Sequence, residues 1–246
     1  MIKSNYFYII YENLKTLLGA LIIAILIRSL FFQPFYIPSS SMEPTLLVGD
    51  RIFVSKYTYG YSKHSFPFSP NLFDDRLFSK VPDRGDLVVF KTPSDNRTDY
   101  IKRLIGLPGD TIQIKDGNLF INEEKIFREK ADKSILIRCG NFNIETNTFI
   151  EKLPNGIEHL VVYKKNGSLQ NTKMYKVPLN HYFLMGDNRD CSKDSRYLDS
   201  VGYVSNNNLV GEAKVIFFSN DTQKSSLLKF WNLKNSFRLN RLFRKL

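Results

Sequence analysis

The sequence predicts a mainly antiparallel β fold with a β-rich inserted subdomain, preceded by one N-terminal transmembrane helix. Three observations lead there. Residues 16–27 (TLLGALIIAILI) carry no charge, and apolar character resumes after Arg28 with Leu30, Phe31 and Phe32. Phe (20) and Tyr (13) are abundant, and both favour strands. Beyond residue 33 the apolar residues alternate or come in short runs bounded by Gly, Pro, Asn and Asp, with no helical period. The 246 residues suffice for a substantial core, and 43% hydrophobic with 24% charged residues is the balance of a folded chain.

A membrane-spanning helix needs roughly 17–25 mostly apolar residues. Residues 16–32 reach that length when Arg28 snorkels to the interface. No small-x-small site follows this apolar region, so a retained anchor is expected rather than a cleaved leader, with a buried core helix as the alternative. Lys3 and Lys15 flank its N-terminal side, which puts residues 1–15 in the cytoplasm and the remainder outside.

Pro38 and Pro44 then bracket Ser39, Ser40 and Ser41, and proline's fixed φ predicts a short, stiff, non-helical segment. Residues 47–54 read as a turn and a strand, and residues 57–80 as a long aromatic loop. The turn Arg84-Gly85-Asp86 feeds the apolar strand 87–90. Residues 100–105 form another strand, stopped by Gly106-Leu107-Pro108-Gly109-Asp110. Residues 111–121 carry Lys115-Asp116-Gly117-Asn118 between alternating strands, a strong hairpin signal, and a second turn is expected at residues 165–167. Residues 111–177 are therefore an insertion between core segments 33–110 and 178–221. That second core segment holds the short strand 182–185, the polar run from Gly186, and a last strand over 210–218.

The formal charge of +11 suggests a nucleic-acid binder at first sight. Yet seven Lys or Arg and no acid lie in the tail, residues 222–246, and the other 221 residues carry only +4. No nucleic-acid partner is expected. In the tail Leu239, Leu242, Phe243 and Leu246 recur at helical spacing opposite the bases, which suits a short helix on an anionic membrane surface or else a frayed terminus. Cys139 and Cys191 read as two unrelated free thiols, with a disulfide as the alternative. No metal-ligand spacing or cofactor motif appears, so no cofactor is expected.

Lys102 is the informative ionisable residue. In a strand it shares a face with Tyr100 and Leu104, where desolvation would lower its pKa and let it take a proton from a serine hydroxyl. An edge-strand surface lysine is the alternative. His181 is the competing base, without a nucleophile-elbow motif beside it. The run Gly186-Asp187-Asn188-Arg189-Asp190-Cys191-Ser192-Lys193-Asp194-Ser195-Arg196 misses the calcium-loop spacing. It reads instead as an ion-paired platform in which Asp187, Asp190 and Asp194 meet Arg189 and Arg196.

Four stretches together resemble the bacterial type I signal peptidases, membrane-bound Ser-Lys endopeptidases. They are Gln33-Pro34-Phe35-Tyr36-Ile37-Pro38-Ser39-Ser40-Ser41-Met42-Glu43-Pro44-Thr45-Leu46, then Arg84 to Phe90, then Tyr100 to Asp110, and finally Gly186 to Arg196. They stand in the family's order behind an anchor in the family's place. The resemblance implies that 33–110 and 178–221 form a catalytic β core with Ser41 as nucleophile and Lys102 as general base. It implies that Ser39 and the Ser41 N–H form the oxyanion hole, that Ser192 orients the lysine, and that Asp194 and Arg196 hold the site's shape. Phe35, Ile37, Met42, Leu46, Tyr100 and Ile101 match positions lining shallow apolar pockets for small residues at −3 and −1 of a signal peptide.

The partners so implied are signal-peptide-bearing preproteins and the lipid bilayer. The location is the cytoplasmic (inner) membrane, single-pass, with the catalytic region on the periplasmic face. Three departures stand out. Ser40 takes a position usually held by glycine, Cys191 replaces a frequent asparagine, and one span is readable where many relatives have two. A self-cleaving Ser-Lys repressor would need a DNA-binding segment where the anchor lies, and a non-catalytic membrane-anchored β module would need neither Ser41 nor Lys102.

Overall fold

A computed structural model of the chain describes residues 2–71, 74–140, 142–165, 171–221 and 236–246. Helix α1 (Ile2–Leu30) contains the apolar stretch Phe7–Leu30, 24 residues with a mean hydropathy of 1.8 and none buried against the rest of the protein. Its length of about 36 Å exceeds the roughly 30 Å hydrocarbon core of a bilayer. The expected bounds of 16–32 are corrected at both ends. Phe7, Tyr8, Ile9, Ile10 and Tyr11 extend the apolar surface before Glu12, and Phe32 has already left the helix to pair with Ser55.

The strands in chain order are β1 (Phe32–Tyr36), β2 (Asp50–Ser55), β3 (Leu87–Lys91), β4 (Asp99–Gly106), β5 (Thr111–Lys115), β6 (Asn118–Ile121), β7 (Glu124–Lys125) and β8 (Phe127–Cys139). They continue with β9 (Phe142–Lys152), β10 (Glu158–Lys164), β11 (Tyr175–Lys176), β12 (His181–Met185), β13 (Val204–Ser205), β14 (Leu209–Ser219) and β15 (Arg244–Lys245). The main sheet runs β1-β2-β14-β3-β4-β12-β13, with β15 added alongside β14. Its pairings are antiparallel.

The continuous apolar sequence of β3 has a simple cause, since the strand is covered on both faces. Leu87 and Val89 join Ile52, Val54 and Ile216 in one core, while Val88 and Phe90 join Leu104 and Leu184 in another. Each such buried side chain contributes roughly 1.5–3 kcal/mol relative to exposure. Lys102 pairs with Val88 across β3–β4, so it stands on a central strand.

The hairpin expected around Lys115 is β5–β6, with Asp116 and Gly117 both at positive φ as a tight two-residue turn requires. The insertion is more than a hairpin: β11-β5-β6-β7 form one sheet and β10-β9-β8 another. The first packs into the main body, since Ile112, Ile114 and Leu119 share a core with Ile105, Phe183 and Met185. The turn expected at 165–167 falls largely outside the described residues.

The tail also departs from expectation. No amphipathic helix forms over residues 238–246; a single 3-10 turn, Leu239–Arg241, leads into β15 on the edge of β14. Asp50, with no solvent exposure, is the reason. Arg241 caps it with two bonds, Nε to Oδ1 at 3.0 Å and Nη2 to Oδ2 at 2.6 Å. A buried carboxylate needs such a partner, and it outweighs the local helical pattern. The earlier part of the tail, residues 222–235, lies outside the described residues.

Candidate active site

The serine stretch is held from both sides. Ile37 N–H donates to Asp50 O at 2.9 Å and Gly49 N–H to Ile37 O at 3.0 Å, prolonging the β1–β2 pairing to the turn. Ser39 is extended, and the chain then tightens into a 3-10 turn, Ser40–Met42, closed by Glu43 N–H on Ser40 O at 3.0 Å. The segment is thus stiff but contains one helical turn. Met42 and Leu46 are fully buried in the core with Ile52 and Val54, which pins the turn from below. Ser40 has no positive φ, so its side chain costs no backbone strain where a glycine is usual.

Lys102 reaches this turn from β4. Its Nζ lies 2.8 Å from Ser41 Oγ and 2.9 Å from Ile101 O, and only 4% of the residue is exposed. Burial lowers its pKa to about 8, against a partial opposing pull from Asp194 and Asp187. Ser39 Oγ is 3.4 Å from Ser41 Oγ. His181 offers no competition, because it sits at the far end of β12 with Nδ1 at 2.9 Å from the Leu179 carbonyl.

The loop after β12 forms the floor. Gly186 packs where a Cβ would stand 2.2 Å from Ser192 Oγ and 2.5 Å from Ser41 O, so no larger residue fits. Asn188 clamps the serine turn, its N–H donating to Ser41 O at 3.2 Å and its Nδ2 to Ser40 O at 3.1 Å. Asp194 receives Arg196 Nε and Nη2 at 2.8 Å each and Gly186 N–H at 2.9 Å. Burial would raise the Asp194 carboxyl, but Arg196 holds it below its ordinary value. Ser192 is buried against Asp194, where its hydroxyl helps hold that carboxylate in its charged form, while Lys102 Nζ bonds only Ser41 and Ile101 among the described residues. The bond to Lys102 implied by the resemblance is therefore not made.

The platform's other pairings differ from those expected. Asp187 pairs with Arg103, by Nε at 2.8 Å and Nη2 at 2.7 Å, and also accepts from Thr45 Oγ1. Burial pushes its pKa up, and Arg103 more than compensates. Arg189 turns away to Glu151 on β9 and to Tyr163 Oη. Asp190 accepts the Lys164 N–H at 2.7 Å. Arg103 and Glu151 come from strands 84 and 38 residues from their partners in sequence, so no local pattern announces them. Thr45 and Asn188 stand inside the recognised stretches, and their motif positions were the available signal.

An apolar cavity of about 400 Å³ opens beside Ser41 and Lys102. Phe35, Ile37, Met42, Tyr100 and Ile101 line it. Leu46 does not; it lies wholly in the core beneath the turn. Cys191 also lines the cavity, and it is bonded to Cys139 at the end of β8 with Cα atoms 5.7 Å apart. The two cysteines are a disulfide, not free thiols. The β8–β9 sheet returns its end to the loop after β12 across 52 residues of sequence, a proximity that spacing could not show.

Residues 10–218 match the family model described as signal peptidase, peptidase S26. Signal peptidase I of Rickettsia conorii (strain ATCC VR-613 / Malish 7) is 43% identical over 244 residues, covering 91% of this chain and 88% of that protein. The Rickettsia bellii (strain OSU 85-389) signal peptidase I is 38% identical over 253 residues, covering 96% and 85%. A crystal structure of a signal peptidase I from Enterococcus faecalis V583 aligns at 28% identity over 54% of this chain and 97% of that one. Its TM-score of 0.31 is too low to bear on the fold.

Proposed function

The chain belongs to the signal peptidase family, peptidase S26, and on that premise we propose a membrane-anchored serine endopeptidase that removes N-terminal signal peptides, with Ser41 as nucleophile and Lys102 as general base. As a member it is a hydrolase acting on peptide bonds. The observation that carries the dyad is the 2.8 Å approach of Lys102 Nζ to Ser41 Oγ in a setting that lowers the lysine pKa to about 8. A neutral amine there takes the hydroxyl proton as Oγ bonds to the scissile carbonyl carbon. The oxyanion is stabilised by the Ser39 hydroxyl and the Ser41 N–H, donors of a kind often worth about 3 kcal/mol each. Lys102 then returns the proton to the departing amine as the C–N bond breaks, leaving an acyl ester on Ser41. Water, deprotonated by the same lysine, hydrolyses that ester.

Specificity for small residues at −3 and −1 is assigned to the cavity walls Phe35, Ile37, Met42, Tyr100 and Ile101, where an extended chain can bury only short side chains beside Ser41. Leu46 supports these walls from the core. Asp194 and Arg196 keep the loop shaped around Gly186, while Ser192, buried beside Asp194, is assigned to receive the lysine when Lys102 leaves Ser41 during attack. Helix α1 anchors the enzyme, and we assign the body after Leu30 to the outer face of the inner membrane. A nucleophile eleven residues beyond the helix end stands at the depth where a signal peptide leaves the bilayer, which lowers the entropic cost of attack. Residues 33–110 and 178–221 are proposed as the catalytic core, with 111–177 supporting the loop.

The test is cleavage of a preprotein by the full chain in detergent, with N-terminal sequencing of the product. Ser41→Ala and Lys102→Met each abolish cleavage; wild-type rate in either variant overturns the dyad.

A further inference from the structure

A second, smaller cavity of about 110 Å³ lies where α1 meets the body, and nothing in the cleavage reaction uses it. Arg28 from the last turn of α1, Lys56, Lys91 and the imidazole of His64 line it, against a single carboxylate, Asp99. That carboxylate is already paired with Lys91 at 2.8 Å. Lys56 is 2% exposed, and among the described residues its ammonium donates only to carbonyls, Ser65 O at 2.6 Å and His64 O at 3.5 Å. Neither Arg28 nor Lys56 has an ion pair among the described residues. Burial, reinforced by the Arg28 charge, drives the Lys56 pKa down to about 8. Arg28, Lys56 and Lys91 thus face the open space against the one Asp99 carboxylate, and an anion seated there offsets the excess positive charge.

We propose that this cavity binds the phosphate of an anionic lipid headgroup. The chemistry, an excess of cations and an amide from Gln33 around a compact space, is that of a phosphate monoester or diester without a cation of its own. Position favours the lipid as its source. Arg28 is one turn from the end of the bilayer-spanning helix. Phe31, next after that helix, is 52% exposed, and Phe68 on the cavity rim is entirely exposed, two aromatic rings at the level where headgroups begin. Phe35 and Asp99 line this cavity and the substrate cavity alike. A headgroup held here therefore fixes the depth of the substrate-binding wall relative to the membrane surface.

The test is a lipid titration of the full chain in a neutral detergent, read by native mass spectrometry and by the thermal unfolding midpoint. Phosphatidylglycerol is expected to saturate a single site and raise the midpoint, phosphatidylcholine to do neither, and Arg28→Gln to weaken the phosphatidylglycerol site at least tenfold. Lys56→Gln is the second variant; Arg28, exposed at the helix end, keeps the test valid should Lys56→Gln fail to fold. Equal phosphatidylglycerol retention by wild type and Arg28→Gln overturns the site. An equal midpoint shift with inorganic phosphate alone overturns the lipid as its source. Both readouts are of binding, so they stand or fall independently of the Ser41–Lys102 assignment.

Discussion

Changing pH acts most directly on Lys102, the proposed general base, because such a base works only in its neutral form. With a pKa of about 8, roughly one molecule in ten is competent at pH 7. At the ordinary value of 10.5 the fraction would be about one in three thousand, so burial raises the competent population about 300-fold, equivalent to about 3 kcal/mol. The assay is kcat/KM of the full chain in detergent on one preprotein between pH 6 and 9. The rate should rise about tenfold per pH unit below 8 and level off above it. A flat profile, or a rise that continues unbroken past pH 9, would refute desolvation of this lysine as the source of its basicity.

The same shift has a consequence for stability. The folded pKa lies below the unfolded one, so the unfolded chain holds the proton more tightly and stability rises with pH from about 8 to 10.5. Lys102→Met removes a buried ammonium and should lose this rise while keeping or raising the unfolding midpoint at pH 7. Its inactivity then cannot be ascribed to unfolding.

Ser39→Ala should lower kcat by about 10–100-fold with little change in KM, measured by single-turnover cleavage, since its hydroxyl is assigned to the oxyanion alone. Asn188→Ala should reduce kcat by about tenfold and cost about 0.5–1.5 kcal/mol in urea unfolding, because the Ser40 carbonyl loses its Nδ2 donor and keeps only the Glu43 N–H. Reduction, or the double variant Cys139→Ser with Cys191→Ser, should lower stability by about 4 kcal/mol on the loop-entropy account for a 52-residue separation; an unchanged unfolding midpoint with and without reductant counts against the bond.

The sequence by itself determined everything that neighbouring residues control. An uncharged run makes a spanning helix whatever it packs against, although Phe7–Tyr11 lengthened it. The Asp116-Gly117 turn forms its hairpin from local φ preferences alone, and β3 shows its double burial as four consecutive apolar residues. Ser41 and Lys102 were legible as candidates because four stretches stand in one family's order, none of them distinctive alone. Only the tertiary structure decided what depends on which strands meet. It gave Asp187 to Arg103 and Arg189 to Glu151, joined Cys139 to Cys191, sank Leu46 into the core, and turned the tail's helical pattern into a strand held by Asp50. Charges and thiols select partners by distance in space, and a chain's local chemistry carries no record of that distance. The cation-lined cavity beneath α1 is of the same kind: Arg28, Lys56 and Lys91 are unremarkable in sequence and acquire meaning only where the helix end meets the sheet.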